Sequence, residues 1–535
     1  MTDLTAQAFS SAFVADVLKL LSNDSLAVLA GLPAAGATTQ HAILTHFLNH
    51  LFARATIEAP RNQSAVRVAH ITNCCFQTIA AMPSADDRIS TVLEYKDDVA
   101  SLFIALDDRP FIISSVAERL SEAGVRVISF LHPILSYRGV AIVLSYAEFS
   151  DATEVDTTRL LAKVRETLRT LKQVVHDFHA MITSALNSIA TLTGDALHAD
   201  FGEISCAEVR AFISWLTDGS FFFIGTALWN QQSQLVPSES WGAWRVKSGC
   251  TDQLRSESIE DVRALKERGL DLSIRKLELT SSVHRPATLL NITLRLPNRS
   301  GESLSLVGYL TSKAWTNEAL DIPILRHKVA RFLALEGALP NSHDYKYMVE
   351  VVDNMPTDEA LASSVEQLRL IARLALEVFS HEATRTITFI DELRRRALTV
   401  IALPPERLSA GVQQYIQDSI EVALQAATGS SEIHLDSSKR RQYRLYLSTP
   451  LPLNHCAAIP QERLSKEIHN ATLTWEEHLS ERLAMTEGPE ELEWRDDIFP
   501  AAYQAGTDVH EAAFDVRTIT SLSHEKPSAV MLYVD

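Results

Sequence analysis

The stretch DDRPFIISSVAERLSEAGVRVISFLHP, Asp107 to Pro133, decides the fold class. It follows the apolar run SLFIAL (101–106) and reads as strand, tight turn, helix and second strand. The turn Asp108-Arg109-Pro110-Phe111 stands where the strand hands over to the helix. Turns at helix N-termini can hold a small molecule against backbone N–H groups. The stretch is therefore either a ligand site or a packed corner.

The surroundings have the same character. Short runs take over from AVRVAHITN (65–73) onward: RISTVLEYK, SLFIALD, VRVISFLHP and GVAIVLSYA, with one helix at FIISSVAERLSEAG. They predict a β-rich α+β unit over about 65–150. Before it, SSAFVADVLKLLSND and TTQHAILTHFLNHLFARA show helical spacing, and after it comes a long amphipathic helical region. A second mixed unit carries strands at SFFFIGTALW, LSIRKLEL, TLLNITLRL and LSLVGYLT, followed by helices at IPILRHKVARFLALEG and HDYKYMVEVVDN. A third reads strand, strand, long helix, strand, strand: TRTITFID, ALTVIALP, ERLSAGVQQYIQDSIEVALQAATG, SEIHLDS and RQYRLYLST. The chain ends in SAVMLYVD, which reads either as the first strand of an unfinished domain or as the edge of an earlier sheet.

At 535 residues the chain is too long for one ordinary core, so roughly three or four domains are expected. Apolar residues at 46% and a mean hydropathy of +0.01 fit a soluble protein. No apolar run approaches the ~20 residues of a membrane helix. The N-terminus lacks the cationic region of a signal peptide, so a cytoplasmic location is expected. A formal charge of −18 argues against nucleic-acid or anionic-membrane partners, which need clustered Lys and Arg. The one basic cluster, DELRRRAL with Arg394, Arg395 and Arg396, reads as a solvated hairpin tip. Five scattered cysteines make no disulfide framework. Cys74 and Cys75 are adjacent, which is neither redox nor zinc spacing.

Motifs of chemistry are scarce. No GxGxxG follows a predicted strand, no GxxxxGK[ST] occurs, and AGLPAAGATT has neither the lysine nor a strand before it. His46 and His50 stand at i, i+4 on a predicted helix, but HExxH lacks its Glu, so they read as a surface pair. No GxSxG is present, and Cys206 reads as a buried thiol. The sequence thus predicts no catalytic, cofactor or metal residue. SSVHRP (281–286) is the more informative motif. It joins two strands, and LDIPILRHKV later adds Asp321, Arg326 and His327. Arg285 and Arg326 could grip a carboxylate ligand bidentately, or pair with Asp321 and fix the fold.

The order of these segments resembles the N-terminal part of the large NAD-specific glutamate dehydrogenases of bacteria. The resemblance rests on DDRPFIISSV (107–116), VRAFISWLTDGSFFFIG (209–225), SSVHRPA (281–287), DIPILRHKVARFL (321–333) and PNSHDYKYMVEVVDNMPTDE (340–359). ALPPERLSAGVQ, TWEEHLSERL and IFPAAYQAGTDVHEAAFDV continue it. It implies an α+β, multi-domain chain of ACT-like βαββαβ units and a PAS-like mixed domain joined by helical segments. The implied divisions are a helical segment (1–60), a first ACT-like domain with helical extension (61–195) and a PAS-like domain (196–350). A helical linker (351–380), a second ACT-like domain (381–460), a helical segment (461–525) and the first strand of a third ACT-like domain (526–535) follow.

The resemblance further implies a regulatory and oligomerisation region without the catalytic domains, belonging to an enzyme of glutamate catabolism that uses NAD. No cofactor is expected in this chain. The implied partners are its own catalytic region or other subunits in a homo-oligomer, and an amino-acid effector. The alternative is a stand-alone amino-acid-sensing or scaffold protein acting in trans. ACT domains bind amino acids at a turn where glycine lets the ligand reach the backbone. Here Phe111 takes that position and Ser114 stands where Asp is more frequent. The resemblance therefore favours a packed corner, with Asp108 and Arg109 locking the turn. His284, Arg285, Asp321 and Arg326 complete the candidate set.

Overall fold

The computed structural model describes residues 9–32, 39–53, 64–83, 88–96, 99–150, 156–190, 192, 194, 196–247, 249–296, 299, 301–381, 383–391, 396–438, 442–452, 461–487, 499–522 and 528. The chain divides into two units, Met1–Thr316 and Asn317–Asp535. The SAVMLYVD strand expected at the C-terminus lies, apart from Ser528, outside the described residues.

The first unit opens with helices Ser11–Lys19, Asn23–Leu29, Gln40–Leu51 and Ala65–Ala80. Ser10, Ser22, Thr39 and Ser64 start them, each side chain accepting a first-turn amide that the helix leaves unpaired. The fourth helix corrects the expectation of alternating strand-like runs from residue 65. Val66 and Val68 mimic a period of two, yet Val66 is exposed, and the buried set Val68, Ile71, Cys75 and Ile79 has helical spacing.

Strands β1 (Ile89–Lys96), β2 (Val99–Asp107), β3 (Arg126–Leu131), β4 (Ile134–Tyr137) and β5 (Val140–Ser150) form an antiparallel sheet ordered β1-β2-β5-β3, with β4 also on β5. Phe103, Ala105, Leu144 and Tyr146 join the core of the four N-terminal helices. Leu102, Ile104 and Leu106 are buried on the opposite face by the alternation of a strand. Helices Ile112–Glu122 and Thr157–His176 pack against each other and on strands β3 and β1. A sheet covered on both faces explains why SLFIAL is a continuous apolar run rather than an alternating one.

The second sheet of this unit has seven strands: β6 (Ala196–Ala199), β7 (Gly202–Ser205), β8 (Phe221–Trp229), β9 (Leu235–Gly242), β10 (Leu272–Thr280), β11 (Thr288–Leu296) and β12 (Glu302–Leu310). Their order is β7-β6-β10-β11-β12-β8-β9, antiparallel except for β6 with β10. β9 and the helix Gly249–Glu267 have no counterpart in the sequence reading. The strand carries Pro237 and a polar run, and the helix buries only a narrow stripe that includes Leu254, Val262 and Leu265.

The second unit begins with helices Leu325–Leu335, His343–Asp353, Thr357–Ala362 and Val365–His381. Strands β13 (Arg385–Asp391), β14 (Arg396–Leu403), β15 (Glu432–Ser438) and β16 (Gln442–Pro450) form a sheet ordered β13-β14-β16-β15. Helix Ala410–Ala423 connects β14 to β15, and helix Gln461–Ala471 follows β16. The first and third sheets therefore share one plan, ββαββα, to which the first adds β4 as an extra strand on β5. This differs from the implied βαββαβ. The strand that would come last comes first, and pairs antiparallel with the next strand through a short hairpin. A hairpin reaches the outer position of the sheet without a second crossover.

Candidate functional site

The two loops singled out in the sequence meet within the first unit. Phe111 precedes helix Ile112–Glu122 with φ 70° and ψ 9°, a left-handed conformation that glycine adopts freely and a phenylalanine does not. His284, in the loop between β10 and β11, also has φ 70°. Such conformations cost on the order of 1–3 kcal/mol each and persist where surrounding contacts fix them.

Those contacts are on both sides of the joint. The Phe111 ring lies 4.3 Å from the His284 imidazole and 5.3 Å, edge to face, from Phe222 of β8. Phe222 stacks at 5.0 Å on Tyr309 of β12, directly opposite in register. The backbone N–H of His284 donates to Ser115 Oγ at 2.8 Å, and its Nδ1 lies 3.1 Å from Ser114 Oγ. Ser114 Oγ also lies 3.2 Å from the Phe111 carbonyl, so the hydroxyl ties both loops to one helix turn. Ser281 closes the other loop: its hydroxyl donates to the Val283 carbonyl and accepts the Val283 N–H. Aromatic pairs of this kind contribute about 0.5–1.5 kcal/mol each beyond their burial, which offsets part of the strain at the two residues.

Burial lowers the His284 pKa below the ordinary histidine value, and the neighbouring Arg285 charge lowers it further. Burial raises that of Tyr309. The Arg285 guanidinium sits 5.1 Å over the Tyr309 ring and donates to the Leu310 carbonyl. That commits Arg285 to a carbonyl and a ring face, not to a carboxylate.

The other singled-out residues lie elsewhere. Asp108 is exposed and forms no ion pair with Arg109, so the expected turn lock is absent. The ion pair falls one residue earlier, Arg88 with Asp107 at 3.4 Å, because β1 and β2 place these two across from each other. Pro110 is exposed at the turn. Arg109 turns toward a narrow cleft it lines with Arg88, Asp107 and Lys172, and its buried Nε has no hydrogen-bond partner. Asp321 and Arg326 belong to the second unit, both exposed, with Asp321 in an acidic group with Glu318, Glu350 and Asp353. Arg285 belongs to the first unit. His50 Nε2 lies 2.9 Å from the Ile134 carbonyl, and its ring stacks on His46 at 6.3 Å. Cys206 is buried. Arg394 and Arg395 lie outside the described residues, but Arg396 corrects the solvated-tip reading. Only 12% of its side chain is exposed, and it pairs with the equally buried Glu359.

Sequence reasoning missed Lys328. It is 1% exposed in helix Leu325–Leu335, and its Nζ donates at 2.7 Å to the carbonyls of Leu361 and Ser363, where helix Thr357–Ala362 ends. A lysine at a buried helical position, between Leu325 and Val329, was the available signal.

Residues 322–380, the four helices that open the second unit, match the family model "Glutamate dehydrogenase, helical motif 1". Over 468 residues, 80% of this chain, the sequence is 26% identical to an NAD-specific glutamate dehydrogenase of Pseudomonas aeruginosa. It is 21% identical over 473 residues to that of Halomonas elongata. The matches cover 28% and 29% of those proteins, so the chain spans less than a third of the length of the curated relatives. Homology to the large NAD-specific glutamate dehydrogenases follows from these matches. Among the described residues no helix is long and apolar enough to cross a membrane.

Proposed function

We propose that this chain is a regulatory and assembly region of a large NAD-specific glutamate dehydrogenase, with ACT-like ββαββα units and a PAS-like seven-stranded unit. The parent reaction converts L-glutamate, NAD and water to 2-oxoglutarate, ammonia and NADH. In this reading the catalytic and NAD-binding domains lie outside this sequence, the partners are those domains and other copies of the chain, and the compartment is the cytoplasm.

The observation that carries the proposal is the Phe111–His284 joint. The turn that resembles an effector-binding corner has its aromatic residue packed against the loop of a second sheet. A corner used this way transmits position between domains rather than holding a substrate. The similarity of most of this chain to a minor part of much longer dehydrogenases supports the same reading.

Immunoblotting of cell extract with an antibody against this chain tests it. A band far above 59.3 kDa is expected. A band at that mass would favour a stand-alone protein acting in trans. In parallel, the purified chain should not reduce NAD with glutamate, and turnover at an enzymatic rate would overturn the proposal.

A further inference from the structure

A different corner of the first unit gathers three metal-ligating side chains. His70 and Cys74 stand at i, i+4 on helix Ala65–Ala80, one above the other on the same face. Glu94 reaches them from β1. His70 Nε2 lies 2.8 Å from Glu94 Oε2 and 3.9 Å from Cys74 Sγ, and the three ligand atoms lie within 4.8 Å of one another. Among the described residues no other three His, Cys, Asp or Glu side chains come together in this way.

We propose that His70, Cys74 and Glu94 form a site for one divalent cation of the zinc class, with a fourth position open to solvent. Ligand atoms placed tetrahedrally about 2.0–2.3 Å from zinc are roughly 3.5 Å apart, so side-chain shifts of about an ångström or less set the three atoms around an ion. Imidazole, thiolate and carboxylate suit a borderline-soft metal and disfavour magnesium or calcium, which take oxygen ligands. The exposures grade in the right direction. Cys74 is 2% exposed, while the Glu94 and His70 side chains are 33% and 49% exposed. The thiolate would form the floor of the site and the imidazole its rim. A surface His–Glu pair accounts for two of these residues but not for a buried thiol at the same point. A cysteine binds an ion as its thiolate, so the Cys74 thiol gives up its proton on loading. Loading exchanges that proton for the ion, and the two carboxylate and thiolate charges neutralise it. The ion would join the N-terminal helical layer to the edge strand of the first sheet.

The test uses the full chain, stripped with a chelator and titrated with Co²⁺ as a spectroscopic stand-in. One equivalent should bind, with a thiolate-to-cobalt charge-transfer band that disappears in Cys74→Ser and is displaced by Zn²⁺. Even loss of an outer-shell partner weakens metal sites about 10–100-fold, so His70→Ala and Glu94→Gln should each weaken binding by at least that much. No saturable binding would overturn the proposal, as would a band that survives in Cys74→Ser and so arises at another cysteine. Should Cys74→Ser fail to fold, the two variants of the more exposed ligands decide. Unchanged affinity in both would reject the site.

Discussion

The ring centroids of Phe111 and His284 lie 4.3 Å apart, and each residue holds φ at 70°. Two unfavourable backbone conformations thus face each other across one contact, each fixed by the ring of the other. For Phe111 this reverses an ordinary ranking. Alanine is normally the safer replacement, but at positive φ it keeps a strain of about 1–2 kcal/mol that glycine does not feel. Both variants lose the ring contacts. Phe111→Ala should therefore destabilise the first unit more than Phe111→Gly, by about 1 kcal/mol. Hydrogen exchange of the amides in helix Ile112–Glu122 gives the comparison, and the reverse order would show that the extra unfolded-chain entropy of glycine outweighs the strain it relieves.

His284 should make this joint sensitive to acid. Its folded pKa is lowered, first by burial and then by Arg285, against about 6.5 in the unfolded chain. As pH falls below 6.5 the unfolded state takes up a proton that the folded state refuses, so stability drops. The loss stops once pH is below the folded pKa, where both states are protonated. His284→Gln, which cannot titrate, should lack this component while keeping a polar side chain near Ser114. Urea midpoints between neutral pH and pH 4 for the two proteins test it. Parallel curves would mean that His284 protonates without consequence for the joint.

The strand–turn–helix–strand reading of 101–131 and the β14–helix–β15–β16 succession were legible because their apolar runs, turns and helical spacings are local. So were the two loops of the joint as separate motifs. Their meeting was not, since nothing in the sequence brings Ser114 to His284 across 170 positions. The same limit hid Glu94 beside His70 and Cys74, although the i, i+4 spacing of the first two could be read. AVRVAHITN misled because four residues of alternation outweighed Ser64, a good helix cap, and the apolar spacing that follows it. Asp108 misled differently. The resemblance, with Phe111 at the ligand position, implied a turn lock by Asp108 and Arg109, whereas the ion pair at this corner joins Asp107 to Arg88.

Lys328 is a structural cation. Its ammonium is buried and satisfies two carbonyls at the end of helix Thr357–Ala362, where the helix dipole also favours positive charge. Lys328→Met keeps most of the volume but leaves the Leu361 and Ser363 carbonyls without this donor. Hydrogen bonds to charged groups contribute about 1.5–3 kcal/mol each, and orphaned buried acceptors carry their own desolvation cost. A loss of roughly 3 kcal/mol in the second unit is expected. Hydrogen exchange in helix Leu325–Leu335 would report it, and a change under about 0.5 kcal/mol would place Lys328 among ordinary surface substitutions.

Arg444 poses the sharper energetic question. It sits on β16, between Ala402 of β14 and Asp436 of β15, fully buried and ion-paired with Asp436. Its Nε and Nη1, and the nearby Tyr446 hydroxyl, have no hydrogen-bond partner, so the guanidinium is only partly compensated. Removing one member of a buried pair costs about 3–5 kcal/mol, while replacing both with apolar groups is often neutral or favourable. The two members differ in burial: the Arg444 side chain is 0% exposed and that of Asp436 10%. Asp436→Leu should be the worst of three variants, because it strands a fully enclosed cation. Arg444→Met should cost less, since the freed carboxylate can reach water. The double variant should lie closest to the parent, recovering most of both losses. Hydrogen exchange of the β16 amides ranks the three. If the double variant were as unstable as Asp436→Leu, the pair would be holding β15 in register on β16 by a contact that apolar packing cannot replace.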